Sequence, residues 1–261
     1  MRLYLLILIT IFVGCSEDQL QKDSYRVIGH GGAGFDQANS PYPPNSLASI
    51  QQAVDLYGAD GVEVDIQMTR DSQFVLFHDE YLQRSTSLEG KVEEYTLDQL
   101  EGTLYRFGPH PKESIISLRT LISELERTDR QVIVSLHIKR MSDPEGKVVA
   151  KLIEQVASAP GGIEFWFESE QTGILENIPD TYRRFIIRNS WDSSTLEGYR
   201  SLGLDGISVN WREVNSRDIA DLSAVGLSAM LYGIRTAKDV RTVDSWDNVF
   251  AVQSDNLMLY Q

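Results

Sequence analysis

The sequence predicts an α/β fold, a (β/α)8 TIM barrel carrying an insertion on its active face. Three observations lead there. From Tyr25 onward, short β-rich runs alternate with helical patterns, which is how parallel strands are joined by crossovers. Eight or nine such runs can be counted, and eight strand–helix units close into a barrel. The length of 261 residues, with 42 % apolar content, suits a single barrel with a sizeable core.

Before the barrel, "MRLYLLILITIFVGC" sets one positive charge, Arg2, ahead of an apolar run from Leu3 to Gly14. Such a run is too short to span a bilayer and fits the apolar part of a signal peptide. It ends at Cys15, the only cysteine, and "FVGC" resembles a bacterial lipobox, with Phe12 where leucine is usual. Residues 1–15 are therefore expected to be a lipoprotein signal peptide ending at a lipidated Cys15. An ordinary secretory signal or a buried first helix are the other readings. The polar "SEDQLQKDS" at 16–24 reads as a flexible tether, and 25–261 as the barrel domain. The expected setting is the bacterial cell envelope, with the protein held to the membrane by its lipid anchor.

The barrel elements follow in order. "YRVIGHGG" reads as a strand and "PNSLASIQQAVDLYG" as a helix, capped by Asn45 or Ser46 and ended at Gly58. "DGVEVDIQMT" and "FVLFHDE" read as strands flanking the turn "TRDSQ". "QVIVSLHIK" is a strand, "PEGKVVAKLIEQVAS" a helix, and "GIEFWFES", "TYRRFIIRN", "DGISVNW", "LSAMLYGI" and "NVFAVQSD" are further strands. "SSTLEGYRSLG" and "SRDIADLSAVG" are helices between them. Tyr81–Ser117 fits the repeat poorly and is expected to be the insertion.

The formal net charge of −14 argues against nucleic acid as a partner, since phosphate backbones attract basic surfaces. An anionic substrate would need local positive charge or a metal. Against that background, "VEVDI" places Glu63 and Asp65 on one face of a strand and Val62, Val64 and Ile66 on the other. In a barrel the apolar set packs on the helices and the acids face the axis. Two buried carboxylates that close repel each other and lose hydration. A divalent cation resolves both problems; a lysine or arginine partner is the alternative. His30 ends the first strand before glycines that let a ligand approach the backbone, and His78 stands at the end of "FVLFHD". In "VSLHIK", Ser135, His137 and Lys139 project one way, and an inward lysine needs an anion. Trp211 and Tyr232 are candidates to line the mouth by stacking, with core packing as the alternative. Glu168 is a further polar candidate without a role, and His110 falls in the insertion.

Together, "VIGHGG", "PPNSLASIQQAVDLYGADGVEVDIQMTRDSQFVLFHDEYLQRST" and a following glycine resemble the N-terminal half of the glycerophosphodiester phosphodiesterase family. The likeness is close over Tyr25–Gly90 and looser at Gln131–Lys139, and "VQSDNL" resembles the family's closing segment. The resemblance implies a (β/α)8 barrel that cleaves glycerophosphodiesters to glycerol 3-phosphate and an alcohol with a divalent metal. Glu63 and Asp65 would be metal ligands, His30 and His78 the acid–base pair, and Lys139 the holder of a phosphate oxygen. Phospholipases of the phosphatidylinositol or sphingomyelinase D type share the barrel and histidine logic, and a binding barrel with lost catalysis is a third reading. Two departures stand out. Gly31 replaces the family's arginine at the substrate site, leaving only backbone there. His137 replaces a third acidic ligand: the implied ion is Mg²⁺ or Ca²⁺, with Mn²⁺, Zn²⁺ or Co²⁺ admitted by the imidazole, unless His137 stands behind the ligands instead of among them.

Overall fold

A computed structural model of the chain describes residues 25–35, 40–106, 112–128, 130–159 and 161–261. The apolar leader, Cys15, the tether and His110 lie outside the described residues. Eight parallel strands form the barrel wall: β1 (Arg26–His30), β2 (Gly61–Met68), β4 (Val132–Ile138), β5 (Ile163–Ser169), β6 (Arg183–Ile187), β7 (Gly206–Asn210), β8 (Ser228–Ile234) and β9 (Val249–Ser254). Neighbours follow chain order around the wall, and β1 pairs with both β9 and β2, which closes it. A ninth strand, β3 (Phe74–Leu76), folds back antiparallel on β2, with Leu76 opposite Ile66, and ends two residues short of His78, where the sequence reading places the strand end. His78 therefore sits in the loop beyond β3, not on a barrel strand.

Crossover helices cover the wall. Helix α1 (Leu47–Gln51) is N-capped by Ser46, whose side chain accepts from the Ser49 N–H, and it runs on as a π-helical turn over Gln52–Leu56. Within the insertion lies α2 (Leu97–Leu100), and α3 (Leu118–Leu125) then leads back to β4. The remaining crossovers are α4 (Glu145–Val156), α5 (Thr172–Glu176), α6 (Ser193–Ser201), α7 (Ser216–Ala224) and α8 (Ala237–Asp244). No helix among the described residues is long and apolar enough to cross a membrane.

The period of two decides what faces where. Val62, Val64 and Ile66 of β2 join Leu118, Leu121 and Leu152 of the helices in the outer core. Ile28, Ile133, Trp166, Phe185, Met230 and Ala251 form a separate apolar plug. Each of these lies two or more residues upstream of its strand's polar inward residues, so the plug seals the N-terminal half of the barrel. The polar residues thereby stand at the C-terminal rim, where barrel active sites are built. The insertion has its own small core of Val75, Phe77, Leu82, Val92, Leu100 and Ile115. It stands on that same rim, because Glu80, Lys91 and Glu93 share a groove with Lys139 and Arg140 at the end of β4.

Candidate active site

Strand pairing sets the heart of the site. His30 is in register with Glu63, and Asp65 with His137. Glu63 and Asp65 are each only 2 % exposed. Glu63, Asp65 and His137 each offer a ligand atom, all within 4.8 Å of one another. The Lys139 ammonium lies 2.8 Å from Asp65 Oδ1, and His137 Nδ1 3.1 Å from the same oxygen. Both readings of the acidic pair are thus physically present: a lysine on one acid, and a cation-sized cluster of donors around both.

The protonation states follow from burial and neighbours. Burial and the nearby Asp65 charge push the Glu63 carboxyl up to about 7. Burial pushes Asp65 up as well, but Lys139 and His137 outweigh it and hold that carboxyl well below its usual range. Burial pulls the His137 imidazole down, yet its contacts with Asp65 and Glu170 prevail and raise it to about 10.

Two residues that sequence reading did not assign hold this cluster in place. Asn45 is fully buried at a positive φ of 65°. Its amide donates to Asp65 Oδ2 (2.8 Å) and accepts from the Asp65 N–H (2.9 Å). It clamps a carboxylate, and Ser46 alone caps the helix. Asp255, just past β9, is also fully buried. Its Oδ1 bonds His30 Nδ1 (2.9 Å) and accepts from the Phe35 N–H, while Oδ2 accepts from Arg235 Nε (2.8 Å). That bond fixes the ring and leaves His30 Nε2 facing Glu63 Oε2, 3.9 Å away. Burial lowers the His30 imidazole, but the Asp255 bond and the charges of Glu63, Asp255 and Asp65 together outweigh it, and the net shift is upward. Asp255 itself is opposed by burial and driven below the usual carboxylate range by His30 and Arg235. The "VQSDNL" segment carried the only signal for Asp255; for Asn45 it was "PNS", read as a cap.

His78 is half exposed, its Nδ1 3.2 Å from Asp79 Oδ1. The Phe35 ring stands between the two imidazoles, with centroids 4.6 Å from His30 and 5.0 Å from His78. Tyr232 also borders His30, ring centroids 6.0 Å apart, and its hydroxyl donates to Asn189. Gly31 has φ +61° and donates its N–H to Glu63 Oε2 at 2.9 Å. Its backbone therefore serves the acid, not an open substrate face. Trp211 departs from the expected mouth position. Its ring packs on the outer core and near Trp246, because the turn after β7 swings it away from the axis. Glu168 lies beneath the cluster, accepting from Ser135 Oγ (2.5 Å) and Gln253 Nε2 (2.6 Å) as a polar floor. A groove of about 640 Å³ runs outward past Lys139, His78 and Glu170 to Lys91 and Glu93 of the insertion.

A closed parallel barrel whose strand ends gather carboxylates, imidazoles and a lysine has the build of a barrel enzyme. The family model of glycerophosphoryl diester phosphodiesterases matches residues 37–257, and the chain belongs to that family. A Caldanaerobacter subterraneus glycerophosphodiester phosphodiesterase is 41 % identical over 75 residues, 29 % of this chain and 28 % of that protein. A Bacillus altitudinis glycerophosphodiester phosphodiesterase is 40 % identical over 60 residues, 23 % of this chain and 24 % of that one. The matches thus span about a quarter of each of these relatives. Among solved structures, an Oleispira antarctica phosphodiesterase in complex with the product sn-glycerol-3-phosphate superposes with a TM-score of 0.76 at 22 % identity. That superposition covers 90 % of this chain and 95 % of that one, and it speaks for the fold.

Proposed function

We propose that the protein is a divalent-metal-dependent phosphodiesterase that hydrolyses glycerophosphodiesters to glycerol 3-phosphate and an alcohol. One observation carries the reading: the Glu63–Asp65–His137 cluster lies directly beside His30 and Lys139 at the open end of the barrel. The family membership and the product held by the Oleispira antarctica protein support the substrate class.

The residues present fit a divalent cation. Two carboxylates and an imidazole nitrogen are drawn together in a buried site, and among the described residues no cationic group approaches Glu63 closer than 3.9 Å. Glu63, Asp65 and His137 would hold the ion, which would neutralise charge on the phosphate and polarise the phosphorus. The chain supplies the rest. Lys139, at the edge of the cluster, positions a phosphate oxygen and spreads the transition-state charge. His30, oriented by Asp255, and His78, facing the groove, share the two proton transfers: removal from the attacking hydroxyl and delivery to the departing alkoxide. The nucleophile is either a hydroxyl of the glycerol moiety or water. Phe35, between the rings, keeps bulk water from bridging them. The groove past His78 receives the leaving alcohol.

The test is turnover of bis(p-nitrophenyl) phosphate and of glycerophosphodiesters with and without EDTA, with products read by phosphorus NMR. Metal-dependent release of glycerol 3-phosphate is expected. A cyclic phosphate as final product would point to the phosphatidylinositol or sphingomyelinase D type. No turnover of any phosphodiester would leave a binding barrel. The proposal includes envelope anchoring through Cys15, tested by whether Cys15→Ser moves the protein from the membrane to the soluble fraction.

A further inference from the structure

His137 stands where the resemblance places a third acid, and its surroundings say how an imidazole can serve there. Nδ1 is aimed at the carboxylates, 3.1 Å from Asp65 Oδ1 and 3.9 Å from Glu63 Oε1. The other ring nitrogen, Nε2, is buried and makes no aligned hydrogen bond. It lies 3.3 Å from Oε1 of Glu170, the first residue past β5, whose side chain is half exposed on the groove wall. A neutral imidazole offers one lone pair, and the position of its single proton decides which nitrogen carries it. A carboxylate beside one nitrogen keeps the proton there and turns the other into the donor. A glutamate ligand at position 137 would need no such companion.

We infer that Glu170 is a positioning residue for the cation site, holding the His137 proton on Nε2 so that Nδ1 becomes the third ligand beside Glu63 and Asp65. The inference rests on the metal-binding reading above. It accounts for the departure at 137: the anionic charge missing from β4 is supplied from the end of β5. An ion that displaces the Nδ1 proton would leave His137 a neutral imidazole among Glu63, Asp65 and Glu170, which keeps three negative charges about the ion. A nitrogen ligand so fixed favours Mn²⁺, Co²⁺ or Zn²⁺ over Ca²⁺.

The experiment uses Mn²⁺ alone, without substrate. Affinity is measured by calorimetric titration of the wild type and of Glu170→Ala, Glu170→Gln, Glu63→Gln and His137→Glu. Pulsed electron paramagnetic resonance of the bound Mn²⁺ reads coupling to a ligand nitrogen. Glu170→Ala is expected to weaken Mn²⁺ binding by about 10- to 100-fold. Glu170→Gln, whose carbonyl still accepts from Nε2, should recover most of that loss. The nitrogen coupling should be present in the wild type and absent in His137→Glu. Wild-type affinity with intact nitrogen coupling in Glu170→Ala would overturn the role of Glu170. So would Mn²⁺ bound to the wild type without nitrogen coupling. In either case, loss of Mn²⁺ in Glu63→Gln would leave the metal reading standing. Wild-type affinity in Glu63→Gln as well would sink both.

Discussion

At the scale of single residues, the site depends on buried charges that stabilise one another. Asp255 and His30 are the clearest case. Asp255→Asn removes the anion that orients His30 and should lower kcat by about 100-fold or more with little change in KM, since a positioned acid–base group is worth 10²–10⁴. The same pair makes a stability prediction in EDTA. The Asp255 carboxyl is depressed in the fold, so its contribution is present above its unfolded value near 3.8 and fades as pH falls below it. The His30 imidazole is raised, so its contribution is complete below 6.5 and fades as pH rises through the raised value. The urea midpoint gap between wild type and Asp255→Asn should therefore be widest between about pH 4 and 6.5 and narrow on either side. A gap that does not vary with pH would remove the ion pair from the explanation.

At the scale of elements, the turn after β1 shows why glycine suits position 31. Gly31 adopts a positive φ, and a Cβ there would stand 2.6 Å from Phe35 Cε2 and 2.9 Å from Pro44 Cβ. Phe35 fills the space between the imidazoles that a longer side chain would enter. Gly31→Arg should therefore destabilise the protein by about 1–3 kcal/mol without raising activity, read by chemical denaturation and by kcat/KM. This turn also shows where sequence reading ends. Alternation by two made β2 and the inward set Glu63, Asp65, His137 and Lys139 legible, because each lies on, or for Lys139 directly after, a strand whose opposite face is apolar. Phe35 and Asn45 sit on irregular backbone with no period to read. Asp255 meets His30 across 225 positions of chain, and only closure of the wall brings them together. The apolar run "FVLF" read as a strand correctly, but nothing in it distinguishes a wall strand from the hairpin arm it is. Helix α3 went unmarked because the insertion before it masks the strand–helix rhythm.

At the scale of the whole molecule, the barrel separates stability from function along its axis. The plug around Trp166 stacks near Phe185 and Phe250, with ring centroids 5.8 Å and 5.1 Å away. Trp166→Ala would empty this layer and should cost about 3–5 kcal/mol of stability, seen in the denaturation midpoint. The barrel that remains folded should keep its metal affinity, because the polar layer rests on different residues. The insertion adds to the rim without entering the plug, so its sequence can shape the groove it shares with Lys139 while the wall stays unchanged.

Phosphodiester cleavage here requires that the two inward acids of β2 share a cation within reach of the phosphate. Anomalous diffraction from crystals soaked in Mn²⁺ and glycerol 3-phosphate tests this most directly. One ion is predicted between Glu63, Asp65 and His137, with a phosphate oxygen against Lys139 and His30 on its flank. Glycerol phosphate seated with no ion among these side chains, or Mn²⁺ bound only at the outer surface, would contradict it.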